Sequence, residues 1–277
     1  MIQLQNIRFG YSPKHILFTD VSMTMEPGHS YGLLGKNGAG KTTLLKIMAG
    51  LLFPNSGTAE ISGINASLRK AETLQDLYFL QEEIFVPHLT VEDYLKSYAP
   101  FYPYFNHERF QYYMSELEMD GCHGYADKFS HGQKKKFLIA FALATNTKIL
   151  IMDEPTNGLD IPSKSAFRRI MASAADENRL ILISTHQVRD LHSLIDMVTI
   201  LEKGHILMNT SIYDLTEKLY FGAYQEGRKA YYQEEFAGGV SAIMDNPNGE
   251  DSNVDLELLF NAIMHNPQEI SSLFNDK

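Results

Sequence analysis

The sequence is poor in cysteine and in basic residues. Cys122 is its only cysteine, which excludes a disulfide within the chain and favours a reducing, cytosolic compartment. Lysine and arginine total 24 against 34 acidic residues, and the formal net charge is −10. Because neutralising phosphates requires clustered lysine and arginine, this balance argues against a general nucleic-acid-binding surface, although it leaves room for a local basic patch.

Long apolar segments are also missing. The run from Leu138 to Ala144 is among the most apolar, yet it is much shorter than the roughly 18 residues that cross a bilayer. The first residues lead directly into alternating apolar and polar positions, without the basic and apolar regions of a signal peptide. If the protein works at a membrane, we therefore expect another chain to span it.

A glycine-rich segment lies between a predicted strand (30–34) and a predicted helix (43–49). It reads Gly35-Lys36-Asn37-Gly38-Ala39-Gly40-Lys41-Thr42. The glycines let backbone amides face inward and the helix N-terminus adds about half a positive charge, so the loop suits a polyphosphate. We expect Lys41 to reach the β- and γ-phosphates and the Thr42 hydroxyl to bind Mg²⁺. The alternative is a glycine turn that matches this spacing by chance, at odds of roughly 1% in a chain of this length.

Polar residues follow several apolar, strand-like runs. Asp153 and Glu154 directly follow the apolar run 149–152. Burying carboxylates at the end of such a strand costs free energy unless they bind a cation or transfer a proton. Strands that alternate with helices predict a mostly parallel α/β sheet, and ligands bind at the carboxyl ends of such strands. We expect the residues that end these runs to meet at one edge of the sheet: Gly35, Gln81, Asp153, Glu154 and His186.

The pattern becomes helical and rich in aromatic residues between about residues 82 and 135. Most of these rings are predicted to form the core of a small lobe, whereas a surplus of exposed rings would mark a docking face. Ser130 is placed as the N-cap of the helix that ends this insert. The three lysines at 134–136 are predicted to form a solvated face of that helix.

The two ends of the chain are less clearly patterned. Tyr11 is predicted in a loop between two strands, either as a surface residue or as a platform for a nucleotide base. Residues 216–277 form a predicted C-terminal extension, with an exposed, acidic, turn-rich linker at 245–251 and a short amphipathic helix around Leu256 to Ile263. That helix is expected to pack on the domain itself, with a partner contact as the alternative.

Taken in order, the loop at 35–42, Gln81, the Ser130 segment, residues 149–154, Asp160 and His186 resemble the nucleotide-binding domain of ABC transporters. The resemblance covers about residues 1–215. It implies a P-loop NTPase (RecA-like) α/β core with a mostly parallel sheet, an antiparallel β subdomain and an α-helical insert subdomain.

The resemblance also implies a Mg²⁺-dependent ATPase. Asp153 would hold Mg²⁺ through water, Glu154 would act as the general base on the attacking water, and His186 would sense the γ-phosphate. Gln81 would contribute to catalysis and to the metal site, and would lead into the insert that couples hydrolysis to a membrane subunit. The implied ATP-binding residues are Tyr11, Gly35, Asn37, Gly38, Ala39, Gly40, Lys41, Thr42, Thr43, Ser130, Gly132, Gln133 and Asp160.

The family further implies partners. Ser130, Gly132 and Gln133 would bind the γ-phosphate held by an opposite subunit, so two ATP molecules would be sandwiched in a homodimer or heterodimer. Phe129 and His131 replace the family's usual leucine and first glycine, a change that backbone donation survives unless a glycine-only dihedral is required. Separate transmembrane permease subunits would bind the dimer at the cytoplasmic face of a membrane.

Other functions share part of this pattern. The tail at 254–263 is similar to endings of ATPase subunits from bacterial exporters, which favours export, but no residue predicts the substrate. The alternative is a soluble ABC ATPase with a soluble partner, as in iron-sulfur cluster assembly. A ribosome or DNA-repair ATPase is disfavoured because one motif set is present, and a module that does not hydrolyse ATP is disfavoured because it would not need both Glu154 and His186.

Overall fold

An antiparallel sheet forms the N-terminal part of the computed structural model, which describes residues 1–122, 124–188 and 193–274. Its strands are β1 (Ile2–Ser12), β2 (His15–Met25), β4 (Ser56–Ile61) and β5 (Ile64–Asn65), in the order β2-β1-β4-β5. Ile2 pairs with Met25 and Leu4 with Met23, and all four side chains are buried. The alternation of apolar residues along β1 therefore buries one face of this sheet.

A second, six-stranded sheet forms the centre of the fold. Its strands are β3 (Ser30–Leu34), β6 (Leu77–Leu80), β7 (Ile149–Asp153), β8 (Leu180–Thr185), β9 (Met197–Glu202) and β10 (His205–Ser211), in the order β10-β9-β3-β8-β7-β6. All neighbours are parallel except β10, which runs antiparallel to β9. Strands β7 and β8 are buried along their whole length, as their continuous apolar sequence requires. The predicted α/β fold class is confirmed.

Helices cover this sheet and form the insert. They are α1 (Lys41–Met48), α2 (Ala71–Gln75), α3 (Val91–Tyr98), α4 (His107–Glu116), α5 (His131–Ala144), α6 (Ile161–Ala174), α7 (Ile212–Lys218), α8 (Leu256–His265) and α9 (Pro267–Ser271). In the insert the Tyr94 ring meets Phe137 edge-on at 5.0 Å, which joins α3 to α5. Thr90, Asn106 and Ser130 cap α3, α4 and α5 through side-chain hydrogen bonds.

The C-terminal extension contains a sheet that the sequence pattern did not predict. Strands β11 (Leu219–Ala223), β12 (Ala230–Phe236) and β13 (Gly239–Asp245) pair antiparallel in the order β11-β13-β12. The predicted helix is present as α8, and Leu259 and Ile263 belong to the same hydrophobic cluster as α5 and α6. The extension therefore shares the core of the domain. Of the predicted segment 216–277, residues 275–277 lie outside the described part.

In the predicted linker at 245–251, residues 247–251 are exposed, and the segment is held to the fold by Asn246. Its Nδ2 donates to the Thr216 carbonyl at 2.8 Å and to the Glu250 carbonyl at 2.9 Å. Its Oδ1 accepts from the Glu250 amide at 2.9 Å, and the residue is buried. The turn residues were recognised from the sequence, but one buried amide fixes them in place because a buried side-chain amide must be paired.

Candidate functional site

The glycine-rich loop lies between β3 and α1, as predicted. Gly40 has a φ of 103°, and a Cβ on it would come within 2.9 Å of the Phe18 ring. A Cβ on Gly35 would lie 2.6 Å from the Leu201 carbonyl oxygen. Glycine is therefore required at both positions, at the first by conformation and close packing and at the second by space. The loop brings the first amides of α1 to the carboxyl edge of the sheet.

Lys41 covers this loop with its side chain. The ammonium donates to the Gly35 carbonyl at 2.8 Å and lies 3.8 Å from Glu154 Oε1. Burial lowers the pKa of Lys41, and the negative charges of Glu154, Asp153 and Glu82 act in the opposite direction. The Lys41 ammonium thus lies between the phosphate loop and the Glu154 carboxylate.

Thr42 and Asp153 meet across the end of the sheet. The Thr42 hydroxyl donates to Asp153 Oδ2 at 2.6 Å, and the Ser184 hydroxyl donates to Oδ1. A hydroxyl and a carboxylate are oxygen donors of the kind that Mg²⁺ prefers, so this pair fits the cation. Among the described residues no cluster of three His, Cys, Asp or Glu side chains surrounds a common point. A Mg²⁺ ion here would take its remaining ligands from phosphate and water, as this ion commonly does.

Glu154 is held in one orientation by residues at the end of β8. Its Oε1 accepts from the His186 amide at 3.0 Å and from His186 Nδ1 at 2.8 Å, and its Oε2 accepts from the Thr185 hydroxyl at 3.0 Å. The residue is buried and has a positive φ of 47°, which is uncommon outside glycine. Because an ionised carboxylate only accepts, Nδ1 carries the proton, and Nε2 is the ring nitrogen available to a ligand.

Gly40, Lys41, Thr42, Glu154 and His186 line a cavity of about 830 Å³. Tyr11 also lines it, but as part of strand β1 and not in the predicted loop. Its hydroxyl is 2.9 Å from Thr43 Oγ1, its ring meets Phe9 edge-on at 5.1 Å, and 68% of the residue is exposed. The ring is fixed at the rim of the cavity with a large part of its surface open to a ligand.

Gln81 departs from the predicted arrangement. It lines a different cavity of about 450 Å³, and the next residue, Glu82, lines the cavity of the phosphate loop. Glu82 Oε1 accepts a hydrogen bond from Asn157 Nδ2 at 3.0 Å. The two neighbouring residues therefore line different cavities. Glu82 was missed, although its place beside a strand end was a usable signal.

Four other predicted ligands lie away from this cavity. Ser130 and Gln133 form a reciprocal capping box at the start of α5, with hydrogen bonds of 3.2 and 2.9 Å, and Gly132 lies between them. Asp160 caps α6 by accepting from the Ser163 amide at 2.9 Å, and its hydrogen bonds with Ser163 lower its pKa. Within one chain these residues organise helix ends.

The lysines of α5 do not form a fully solvated face, as the sequence predicted. Lys135 is only 1% exposed, whereas Lys134 and Lys136 are partly exposed. Successive helical residues are about 100° apart, so three in a row span about 200° and do not share one face of the helix.

Comparison with known proteins agrees with this geometry. Residues 18–157 match the family model described as ABC transporter. The chain belongs to the ABC transporter family. It is 31% identical over 228 residues to the ABC transporter ATP-binding protein NatA of Bacillus subtilis (strain 168), covering 80% of this chain and 91% of that protein. The lantibiotic transport ATP-binding protein SrtF of Streptococcus pyogenes is 31% identical over 227 residues, covering 79% and 94%.

Solved structures share the fold. An ATP-binding subunit of an ABC transporter superposes with a TM-score of 0.70 at 24% identity, covering 78% of this chain and 91% of that one. The predicted membership is confirmed: this is a nucleotide-binding subunit with the P-loop NTPase fold of the ABC ATPases. None of the described helices is both long and apolar enough to cross a membrane.

Proposed function

We propose that this ABC ATPase hydrolyses ATP with Mg²⁺ and powers transport through separate membrane-spanning subunits. The observation that carries the proposal is the arrangement around Glu154. A carboxylate held by His186 lies 3.8 Å from the phosphate-loop lysine, beside the Thr42–Asp153 pair. This arrangement supports the assignment of a base, a cation and a hard-cation site around one cavity.

Each residue has a distinct part in the proposed reaction. Lys41 and the amides of the loop bind the β- and γ-phosphate oxygens, while Thr42 and Asp153 hold the metal ion. Bound Mg²⁺ supplies positive charge to the phosphate oxygens. Glu154 accepts a proton from the attacking water, and His186 keeps the carboxylate oriented and presents Nε2 to the γ-phosphate. The exposed face of the Tyr11 ring stacks on the base.

The cavity that Gln81 lines supports docking to a membrane subunit. It lies between the central domain and the helical insert and is lined mainly by apolar side chains, among them Leu51, Leu74, Phe79 and Phe101. Phe101 is 66% exposed, which is unusual for a phenylalanine without a partner. An apolar helix from a permease subunit would cover these side chains.

The capping residues of α5 support a dimer. Ser130 and Gln133 are exposed and are not among the residues that line the cavity of their own chain. In the proposed homodimer or heterodimer, their helix start binds the phosphate held by the other subunit, and Asp160 lies at the same interface. Two relatives have names that support export: SrtF is a lantibiotic transport protein, and LnrL is a linearmycin resistance protein. In this proposal the ATPase works at the cytoplasmic face of the membrane.

The test is a mild-detergent pulldown of the tagged protein from its native membranes, followed by mass spectrometry. We expect a polytopic membrane protein in stoichiometric amount. Phe101→Glu should lose that protein and keep its basal ATPase rate, whereas Tyr112→Glu, on an exposed ring outside the cavity, should keep both. Recovery of a soluble partner alone would leave the ATPase chemistry in place and replace transport by the assembly function.

A further inference from the structure

Lys135 is a buried cation with no part in the chemistry described above. It is 1% exposed and does not line the nucleotide cavity, so it does not touch the phosphates. A lysine is almost never fully buried unless nearby charge compensates for the loss of water. The position of this ammonium therefore requires an explanation.

The face of α5 that carries Lys135 is directed at the catalytic loop. His131, one helical turn earlier, lies against Gly158. A Cβ built on Gly158 would come within 3.3 Å of His131 Cδ2. Residues four apart share one face of a helix, so Lys135 faces the same side about 6 Å further along the axis. Helix α5 also packs against β6, the strand that leads to Glu82.

Three carboxylates act on this ammonium. Burial lowers the pKa of Lys135, and the negative charges of Glu82, Asp153 and Glu154 oppose that effect, with Glu82 the largest of the three. The same carboxylates act on Lys41, where the order is Glu154, Asp153, Glu82. Within this group of carboxylates, Glu154 acts most strongly on Lys41, from which it lies 3.8 Å away, and Glu82 acts most strongly on Lys135.

Glu82 is the member of this cluster that most needs compensation. It lines the nucleotide cavity with Glu154, and a triphosphate entering that cavity would meet both negative charges. Its hydrogen bond from Asn157 Nδ2, at 3.0 Å, is neutral and supplies no counter-charge. Lys41 is positioned for Glu154 and for the phosphates.

We propose that Lys135 is a positioning residue whose buried ammonium offsets the charge of Glu82 and so allows the nucleotide cavity to accept a polyphosphate. The inference rests on the proposed function, since it concerns the binding of Mg-ATP in that cavity. Lys135 acts on nucleotide binding through Glu82 and takes no part in proton transfer. Its removal should therefore change affinity and leave the chemical step intact.

The test compares two lysines of one helix. Lys135→Met keeps the length of the side chain and removes the charge, and we expect the Kd for Mg-ATP, measured by calorimetry at fixed ionic strength, to rise about tenfold. At saturating ATP the kcat should stay within about twofold of the wild type, so the effect appears in KM. Lys135→Arg should restore the affinity. Lys134→Met, which removes the same formal charge from a more exposed position, should leave it unchanged.

A charge-balanced double variant tests the route through Glu82. Glu82→Gln keeps an oxygen for Asn157 and removes the charge, so alone it should tighten Mg-ATP binding by about threefold. Combined with Lys135→Met it should bind Mg-ATP as tightly as Glu82→Gln alone, whereas independent sites would give a Kd about threefold above that of the wild type. If Lys135→Met does not fold, the Glu82→Gln variant alone decides. Unchanged or weaker Mg-ATP binding by Glu82→Gln overturns the inference.

The remaining outcomes separate this inference from the proposed function. Wild-type protein that fails to bind Mg-ATP overturns both. Wild-type protein that binds Mg-ATP, with Lys135→Met binding equally well, overturns the role of Lys135 alone. Loss of affinity in Lys135→Met that Lys135→Arg does not rescue identifies a packing role and also overturns it.

Discussion

Glu154 and His186 are joined by a hydrogen bond of 2.8 Å between Oε1 and Nδ1, although they are 32 positions apart in the chain. Strands β7 and β8 are neighbours in the sheet, and each of the two residues follows directly on the last residue of its strand. The Thr185 hydroxyl and the His186 amide bind the same carboxylate. The orientation of the proposed base is therefore determined almost entirely by the end of one adjacent strand.

Glu154→Gln should bind ATP and trap a dimer but lose steady turnover. The amide cannot accept a proton from water, so we expect kcat to fall by about 10²- to 10⁴-fold, measured in single-turnover and steady-state assays. His186→Ala should lose less, because Thr185 and the backbone amide still hold the carboxylate. Retained hydrolysis in Glu154→Gln would rule out the general-base assignment.

Thr42→Ala should raise the Mg²⁺ concentration that gives half-maximal activity, by about tenfold or more. The variant removes the hydroxyl that lies 2.6 Å from Asp153 Oδ2. Thr42→Ser is the matched control, since it keeps the oxygen and should retain the Mg²⁺ requirement of the wild type. Equal Mg²⁺ titration curves for Thr42→Ala and wild type would exclude this pair as the metal site.

Tyr11→Ala should weaken ATP binding, and Tyr11→Phe should do so far less. A base stacked on an aromatic ring gains about 1–3 kcal/mol, so we expect the KM for ATP to rise about tenfold or more in the alanine variant. The phenylalanine variant loses only the hydroxyl contact with Thr43, which is 2.9 Å long. Equal losses in the two variants would show that the hydroxyl matters and the ring does not.

Arg179→Met should stabilise the protein. Arg179 is 5% exposed, and among the described residues its Nε and Nη2 have no hydrogen-bond partner. Burial lowers the pKa of its guanidinium to about 10, so the protonated form is disfavoured in the fold. This penalty is complete below the folded-state pKa of about 10 and lessens only as the pH rises above it. At neutral pH we expect the free energy of unfolding to increase by about 1–3 kcal/mol.

The control for Arg179→Met is Arg169→Met, which removes an exposed arginine paired with Glu116 at 3.2 Å. That variant should change stability by less than about 1 kcal/mol, because exposed ion pairs contribute little. Both are measured by chemical denaturation at neutral pH. A destabilised Arg179→Met would mean that the two nitrogens are satisfied in solution, for example by water.

Leu259→Ala should destabilise the whole domain. Leu259, in α8, is fully buried in the cluster that also contains residues of α5 and α6. Removing it should cost about 2–5 kcal/mol, in one unfolding transition because the extension and the central sheet share a core. Gln268→Ala, at an exposed position of α9, is the control. A separate, earlier transition would indicate that the extension folds independently.

Local sequence determined the centre of the site. A strand, a glycine loop and a helix in direct succession specify a phosphate loop, because the loop's backbone conformation depends on the glycines themselves. The buried runs that end at Asp153 and Thr185 likewise predict parallel strands, and parallel strands bring their carboxyl ends to one edge. Asp153, Glu154 and His186 could therefore be placed together before the structure was known.

Tertiary structure alone decided the orientation of single side chains and the pairing of distant segments. Whether Gln81 or Glu82 faces the cavity depends on how the backbone leaves β6, and which of three lysines is buried depends on the rotation of α5 against the sheet. Strand β13 pairs with β11 on one side and with β12 on the other. Such pairing and burial are set by contacts between residues far apart in the chain, which neither periodicity nor a local motif encodes.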